Sequence, residues 1–293
     1  MELQLRLKNR FMFNTLITTN QWIERSQKAN WALFDCHFDL TDPGSAIRAY
    51  RKSHIPGAQY AHLEQDLSGP AGPHTGRHPL PDPESFATKL GAWGVGPDTQ
   101  VVCYDNSGGA VAARMRWLLR WLGHEAVAVM EGGWRLWTKA GHPVSTEIPQ
   151  PQPAHFSPRP HKNWVITTDE LEGLLDNSDF RILDARSEER FNGEIESLDP
   201  VAGHVPGAIN VPYWDNLDHW DNFLSPQALH TYYKDVLKGT DPQHTAVMCG
   251  SGVTACHTLL AMEIAGLPGA KLYAGSWSEW IRDPARPVAQ GAN

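Results

Sequence analysis

His54-Ile55-Pro56-Gly57-Ala58 is written again 150 residues later as His204-Val205-Pro206-Gly207-Ala208. Two more strings recur in the same order. Leu16-Ile17-Thr18-Thr19 returns as Val165-Ile166-Thr167-Thr168, 149 residues on, and Gly132-Gly133-Trp134 returns as Gly275-Ser276-Trp277, 143 residues on. Self-similarity at a nearly fixed offset means two tandem copies of one structural plan. The length of 293 residues agrees, at about 150 per domain. Between the copies, prolines at 143, 149, 151, 153, 158 and 160 disfavour helix and predict a stiff, extended connector. The chain therefore reads as a first domain over 1–145, a Pro-rich linker over 146–163 and a second domain over 164–293.

Each copy alternates strand and helix signals. In the second, Val165-Ile166 reads as a short strand, Thr168 as the cap of a helix over 169–175, and Arg181-Ile182-Leu183-Asp184 as a buried strand. Ala246-Val247-Met248 is another strand, followed by a helix over 255–265 that keeps Leu259 and Met262 on one face. Leu272-Tyr273-Ala274 is a further strand, and Trp277 and Trp280 open a last helix as core residues. The predicted fold is α/β: two tandem domains, each a mainly parallel sheet flanked by helices. His54 and His204 precede Pro-Gly in both copies and read as turn-stabilising.

Composition narrows the function. Hydrophobic residues make up 41% and charged residues 20% of the chain, and no apolar run approaches the roughly 18 to 20 residues of a membrane helix. With 25 basic against 33 acidic residues the net charge is −8, the wrong sign for a nucleic-acid or anionic-membrane binder. Four cysteines without a C-x-x-C pair predict neither a disulfide framework nor a zinc site, and no metal or organic cofactor is indicated. Residues 1–13 carry Arg6, Lys8 and Arg10 but no apolar signal core, so a cytoplasmic location is predicted. Small-molecule chemistry is what remains.

Cys249-Gly250-Ser251-Gly252-Val253-Thr254 falls between a strand and a helix, where sites form in open α/β sheets. Two glycines let the backbone curl, so that successive N–H groups, together with the helix dipole, favour an anion. A thiol of ordinary pKa near 8.5 is brought to about 3.5–7.5 at such helix ends. Cys249 is the candidate nucleophile, with Gly250, Gly252, Val253 and Thr254 as the substrate-binding backbone. Cys36 and Cys103 lie in apolar strings and read as core; Cys256 reads as a packed helix residue, with a resolving thiol as the competing role. In the first copy Asp105 stands at the place of Cys249, and a carboxylate cannot perform thiol chemistry. Catalysis is therefore assigned to the second copy, the first shaping the cleft and supplying substrate contacts.

The paired His-Ile/Val-Pro-Gly-Ala strings, Asp184-Ala185-Arg186 followed by Arg190-Phe191, Cys-Gly-Ser-Gly-Val-Thr, and Gly-Ser-Trp-Ser-Glu-Trp at 275–280 together resemble the two-domain rhodanese and 3-mercaptopyruvate sulfurtransferase family over residues 16–288. The resemblance implies a persulfide mechanism, in which Cys249 takes sulfane sulfur from a small-molecule donor and passes it to a thiol, a thioredoxin-like protein or cyanide. Members that favour thiosulfate usually carry basic side chains right after the cysteine, whereas this loop has Gly250 and Ser251, which favours 3-mercaptopyruvate with thiosulfate as a secondary donor. Arg190 matches the arginine that grips the donor carboxylate, against a plain ion pair with Glu188, Glu189 or Glu194. Arg186 reads as structural. His78 matches a histidine that relays a proton with the loop serine, here Ser251, with His74 as the neighbouring candidate.

Two departures stand out. Nine residues after Arg190, where a second carboxylate-binding arginine is common in the family, this chain has Asp199. Either Arg77 or Arg48 substitutes, or the preferred donor differs. The acidic member of the relay falls on His62, with Glu64 two residues later. The competing functions are a thiosulfate sulfurtransferase and a non-catalytic persulfide carrier. A phosphatase of the C-x5-R type is disfavoured because Ala255 stands at the arginine position.

Overall fold

A computed structural model describes residues 12–26 and 30–291; Arg6, Lys8 and Arg10 of the basic amino-terminal stretch lie outside them. The chain forms two compact units. One comprises the residues up to Leu67 together with Asp82–Pro160, the other Ser68–Pro81 together with the chain from His161 onward. The segment Ser68–Pro81 is thus built into the second unit although it is coded within the first copy.

The first unit runs β1 (Leu16–Ile17), α1 (Thr19–Arg25), β2 (Trp31–Asp35), α2 (Pro43–Lys52), β3 (Ala58–Tyr60), α3 (Pro83–Ala92), β4 (Gln100–Tyr104), α4 (Ala112–Trp121), β5 (Val127–Met130) and α5 (Gly133–Lys139). Its sheet has the order β1-β5-β4-β2-β3, every pairing parallel. The second unit runs α6 (Thr168–Glu172), β6 (Arg181–Asp184), α7 (Glu188–Asn192), β7 (Ala208–Asn210), α8 (Pro226–Leu237), β8 (Thr245–Met248), α9 (Thr254–Ile264), β9 (Lys271–Leu272) and α10 (Ser276–Trp280). Its parallel sheet has the order β7-β6-β8-β9, the same sequence of neighbours as β3-β2-β4-β5. Helices cover the sheets, which is why the central strands are apolar without alternation: β4 and β8 are buried at every position.

Details depart from the sequence reading in ways with physical causes. Val165 makes only an isolated parallel bridge to Leu272, so the edge strand β1 of the first unit is reduced to a single bridge in the second. The cap of α6 is Thr167 rather than Thr168. Its hydroxyl accepts from the Glu170 amide while the Glu170 side chain accepts from the Thr167 amide, a reciprocal box that places Thr168 inside the helix. Helix α9 is not one-faced: Ala255 through Met262 are all buried. The last strand ends at Leu272, because Tyr273 and Ala274 already turn toward α10.

The repeated histidines do the same job twice. His54 Nδ1 lies 2.7 Å from the Tyr50 carbonyl and the ring stacks on Tyr50, fastening the turn before β3 to the end of α2. His204 Nδ1 lies 2.8 Å from the Phe191 carbonyl and stacks on Phe191, fastening the turn before β7 to α7. The prolines around 149–160 run without helix or strand along the first unit, where the Ala154 and Arg159 amides donate to the Gly91 and Leu122 carbonyls.

Candidate active site

Strand β8 ends at Met248, and the next five residues form the loop that delivers the chain into α9. Cys249 is the floor of this loop, 3% exposed. The Gly252 N–H donates to Cys249 Sγ at 3.2 Å, a geometry that needs the left-handed φ of +76° at Gly252. A methyl group there would lie 2.5 Å from the Ala274 carbonyl. Gly252→Ala is therefore expected to cost about 2–3 kcal/mol from strain and crowding together, read as a lower urea midpoint. A variant as stable as the parent would contradict the loop geometry.

The loop is held from the other side by α10. The Cys249 N–H donates to Ser276 Oγ at 3.1 Å, Ser276 Oγ donates to the Tyr273 carbonyl at 2.9 Å, and the Trp277 and Ser278 amides donate to the Cys249 and Gly250 carbonyls at 3.0 Å each. Ser276 holds a φ of +55°, as Gly133 holds +43° at the same place in the first copy. A non-glycine residue in that region costs roughly 1 kcal/mol or more, retained here because the hydroxyl anchors the Cys249 amide. The Gly133/Ser276 mismatch within the repeated string was the sequence signal for it.

Ser251 is buried, and its Oγ lies 2.7 Å from Nδ1 of His78, itself 2% exposed. His74 is exposed. Val253 precedes α9 and Thr254 begins it, both at the loop's exit, while the Cys256 thiol donates to the Gly252 carbonyl at 3.3 Å inside the helix. Cys36 and Cys103 are fully buried in the first unit, where burial, with Cys103 beside it, raises the Cys36 thiol well above its ordinary value.

Above Gly250 lies a chain of alternating charges. Arg186 Nε and Nη2 donate to Asp184 at 2.6–3.1 Å, with Nη1 at 3.8 Å from Glu196. Burial opposes the Arg186 charge, yet Asp184 outweighs it and raises the guanidinium above its ordinary value. Glu196 accepts from Nε and Nη2 of Arg190 at 2.9–3.2 Å, and Arg190 Nη2 also reaches Asp199 Oδ2 at 3.0 Å. Burial works against the charge on Glu196, but the Arg190 bonds prevail and hold its carboxyl below the usual range. For Asp199 burial wins over Arg77 and the carboxyl is raised. The partners of Arg190 are thus Glu196 and Asp199, not Glu188, Glu189 or Glu194. Gly193, at φ +78°, reverses the chain after α7 and brings residues 196–199 back over the helix.

Arg77 completes the row. Its Nη1 pairs with Asp199 Oδ1, its amide donates to Ser278 Oγ at 3.0 Å, and the Gly76 amide donates to Glu279 Oε2 at 3.2 Å. A methyl group on Gly250 would meet Arg77 Nη2 at 2.8 Å and Arg190 Nη1 at 3.4 Å. His62, by contrast, belongs to the first unit, its Nδ1 accepting from the Glu64 and Gln65 amides. Arg48 is also in the first unit, paired with Asp42 at 2.5 Å and largely exposed.

The first copy repeats this architecture with different chemistry. The Asp105 carboxylate accepts from the amides of Ser107, Gly109, Val111 and Ala112 at 2.8–2.9 Å, filling its own loop. Asp35 and His37 stand where Asp184 and Arg186 do, with Nδ1 of His37 at 2.5 Å from Asp35.

The sequence pattern of the family described as Rhodanese-like domain matches residues 18–140 and again 167–283. The chain belongs to the rhodanese-like domain family. One rhodanese-like relative, named probable 3-mercaptopyruvate sulfurtransferase of Pseudomonas aeruginosa, is 46% identical over 94% of this chain and 98% of its own length. The thiosulfate sulfurtransferase of Rattus norvegicus is 33% identical over 96% of this chain and 97% of its own. Among solved rhodanese-fold structures, the 3-mercaptopyruvate sulfotransferase of Escherichia coli superposes with a TM-score of 0.78 at 29% identity, covering 90% of this chain and 99% of that one. Among the described residues no helix is long and apolar enough to cross a membrane, and no cluster of three His, Cys, Asp or Glu side chains is placed to hold a metal ion.

Proposed function

We propose that this rhodanese-like chain is a sulfurtransferase that moves sulfane sulfur from 3-mercaptopyruvate through a persulfide on Cys249 to a thiol acceptor. The observation that carries the reading is the loop itself: a sulfur at its floor, no basic side chain at Gly250, and Ser251 bonded to His78. The relatives named for mercaptopyruvate and for thiosulfate support the reaction class.

In the first step the Cys249 thiolate attacks the donor sulfur. A sulfur–sulfur bond forms, the donor carbon–sulfur bond breaks, and its electron pair leaves as the enolate of pyruvate. The proton of the donor thiol passes to that carbanionic carbon, and Ser251 with His78 forms the path along which a proton can move. In the second step the thiolate of an acceptor takes the outer sulfur of the Cys249 persulfide, restoring Cys249. Arg190 offers the donor carboxylate a guanidinium, and the Gly252 amide already donates to the sulfur to be loaded, with Gly250, Val253 and Thr254 as the other proposed substrate-binding residues of the loop.

We assign residues 1–145 without Ser68–Pro81 as the non-catalytic domain, 146–163 as the linker, and 164–293 together with Ser68–Pro81 as the catalytic domain. The filled loop of Asp105 supports the first assignment. Four cysteines, all free, fit a cytoplasmic location, and a thioredoxin-like protein or a small thiol is the proposed acceptor.

The test is kcat/KM for 3-mercaptopyruvate and for thiosulfate, measured side by side with one thiol acceptor. A preference for mercaptopyruvate is expected; a large preference for thiosulfate would reverse the choice of donor. Arg190→Ala is expected to raise KM for mercaptopyruvate about ten- to a hundred-fold, the worth of a charged hydrogen bond. Unchanged donor kinetics with acceptor delivery intact would favour the carrier reading instead.

A further inference from the structure

We propose that Arg77 is the second guanidinium of the donor-carboxylate seat, supplied by the segment Ser68–Pro81 in place of the arginine that Asp199 displaces. The assignment rests on the donor being a carboxylate, as proposed above. Asp199 sits between two arginines, with Oδ1 on Arg77 Nη1 and Oδ2 on Arg190 Nη2, so one buried carboxylate sets both planar forks side by side. Its own side chain is 4% exposed against 24% for Arg77 and 19% for Arg190, so the accessible part of the group is cationic.

Direction is given by Gly250. The remaining arms, Arg77 Nη2 and Arg190 Nη1, both end within 3.4 Å of where a Gly250 side chain would begin, one residue from Cys249. Among the described residues neither arm has a hydrogen bond to the protein, so each presents N–H groups to a ligand above the loop. The backbone beneath Arg77 is fixed by the bonds of Gly76 to Glu279, Arg77 to Ser278 and His78 to Ser251. A side chain at residue 250 would press on the guanidinium of Arg77 and displace it. Positive charge reaches the loop from another segment, not from the residue after the cysteine.

The test uses Cys249 alkylation, which needs no turnover. Iodoacetate carries a carboxylate and iodoacetamide does not, so the ratio of their rates at Cys249, followed by peptide mass, reports the seat directly. The parent protein is expected to favour iodoacetate relative to a free thiol. Arg77→Gln is expected to lower the ratio about ten-fold by slowing iodoacetate alone, and Arg77→Lys, which keeps the charge but not the fork, to give an intermediate value. An unchanged ratio, or an equal fall in both rates, would overturn the proposal, the latter by making Arg77 a mere support of the loop. Should Arg77→Gln fail to fold, Arg77→Lys carries the same test. A ratio that falls in a protein unable to use mercaptopyruvate would keep the seat and sink the donor assignment; turnover of mercaptopyruvate with an unmoved ratio would do the reverse.

Discussion

Replacing Cys249 by serine is expected to abolish sulfur transfer from mercaptopyruvate and thiosulfate alike, leaving under about one ten-thousandth of the parent rate. Serine matches the shape, so the bonds of residue 249 to Ser276, Trp277 and its loop survive and stability changes little. The chemistry does not. A hydroxyl is un-ionised at neutral pH and gives no stable oxygen–sulfur counterpart of a persulfide. Mass analysis after donor treatment should find one added sulfur on the parent protein and none on Cys249→Ser. Residual transfer would move the reaction to another cysteine, against the geometry: Cys36 and Cys103 are buried in the first unit, and the Cys256 thiol is turned onto the Gly252 carbonyl within α9.

The second large effect is on folding. Asp184→Ala is expected to destabilise the second unit by about 3–5 kcal/mol, because it leaves the Arg186 guanidinium charged in the interior without its bidentate carboxylate. Arg186 is 1% and Asp184 0% exposed. Without Asp184 the guanidinium keeps the Gly203 carbonyl at 2.8 Å, the Trp277 ring at 4.8 Å from its centroid, and Glu196 at 3.8 Å. Urea denaturation of Asp184→Ala against Asp184→Leu combined with Arg186→Met separates the causes. The double change should recover much of the loss, since it removes the stranded charge. If the double variant is as unstable as the single, packing rather than charge is responsible.

How much of this was legible without coordinates depends on sequence distance. The doubled strings predicted two units, and the two sheets share an order of neighbours down to the reduced edge strand at Val165. The loop of Cys249 could be read because glycine and serine spacing is local chemistry. Choosing His78 over His74 needed the family pattern, and the contact to Ser251 spans 173 positions. Arg77 and Arg48 are equivalent substitutes by sequence, and the structure separates them. No local rule tells a chain that fourteen residues of one copy will pack into the other unit. The partners of Arg190 are not the neighbours three or four residues away that a helix suggests, because the turn at Gly193 ends α7 and returns Glu196 and Asp199. The buried girth of α9 escaped notice because a helix apolar on every side carries no periodic signal.

The carboxylate of Asp105 has a wider implication. Four amides that would otherwise seek a visiting ion are saturated from the moment that unit folds, by a group that never leaves. The two copies thus hold one loop design in two forms, closed by its own carboxylate in the first and built around a thiol in the second. With sulfur carried on Cys249 as proposed, the second half alone should stiffen measurably on loading, because the amides of the first loop are already bonded to Asp105.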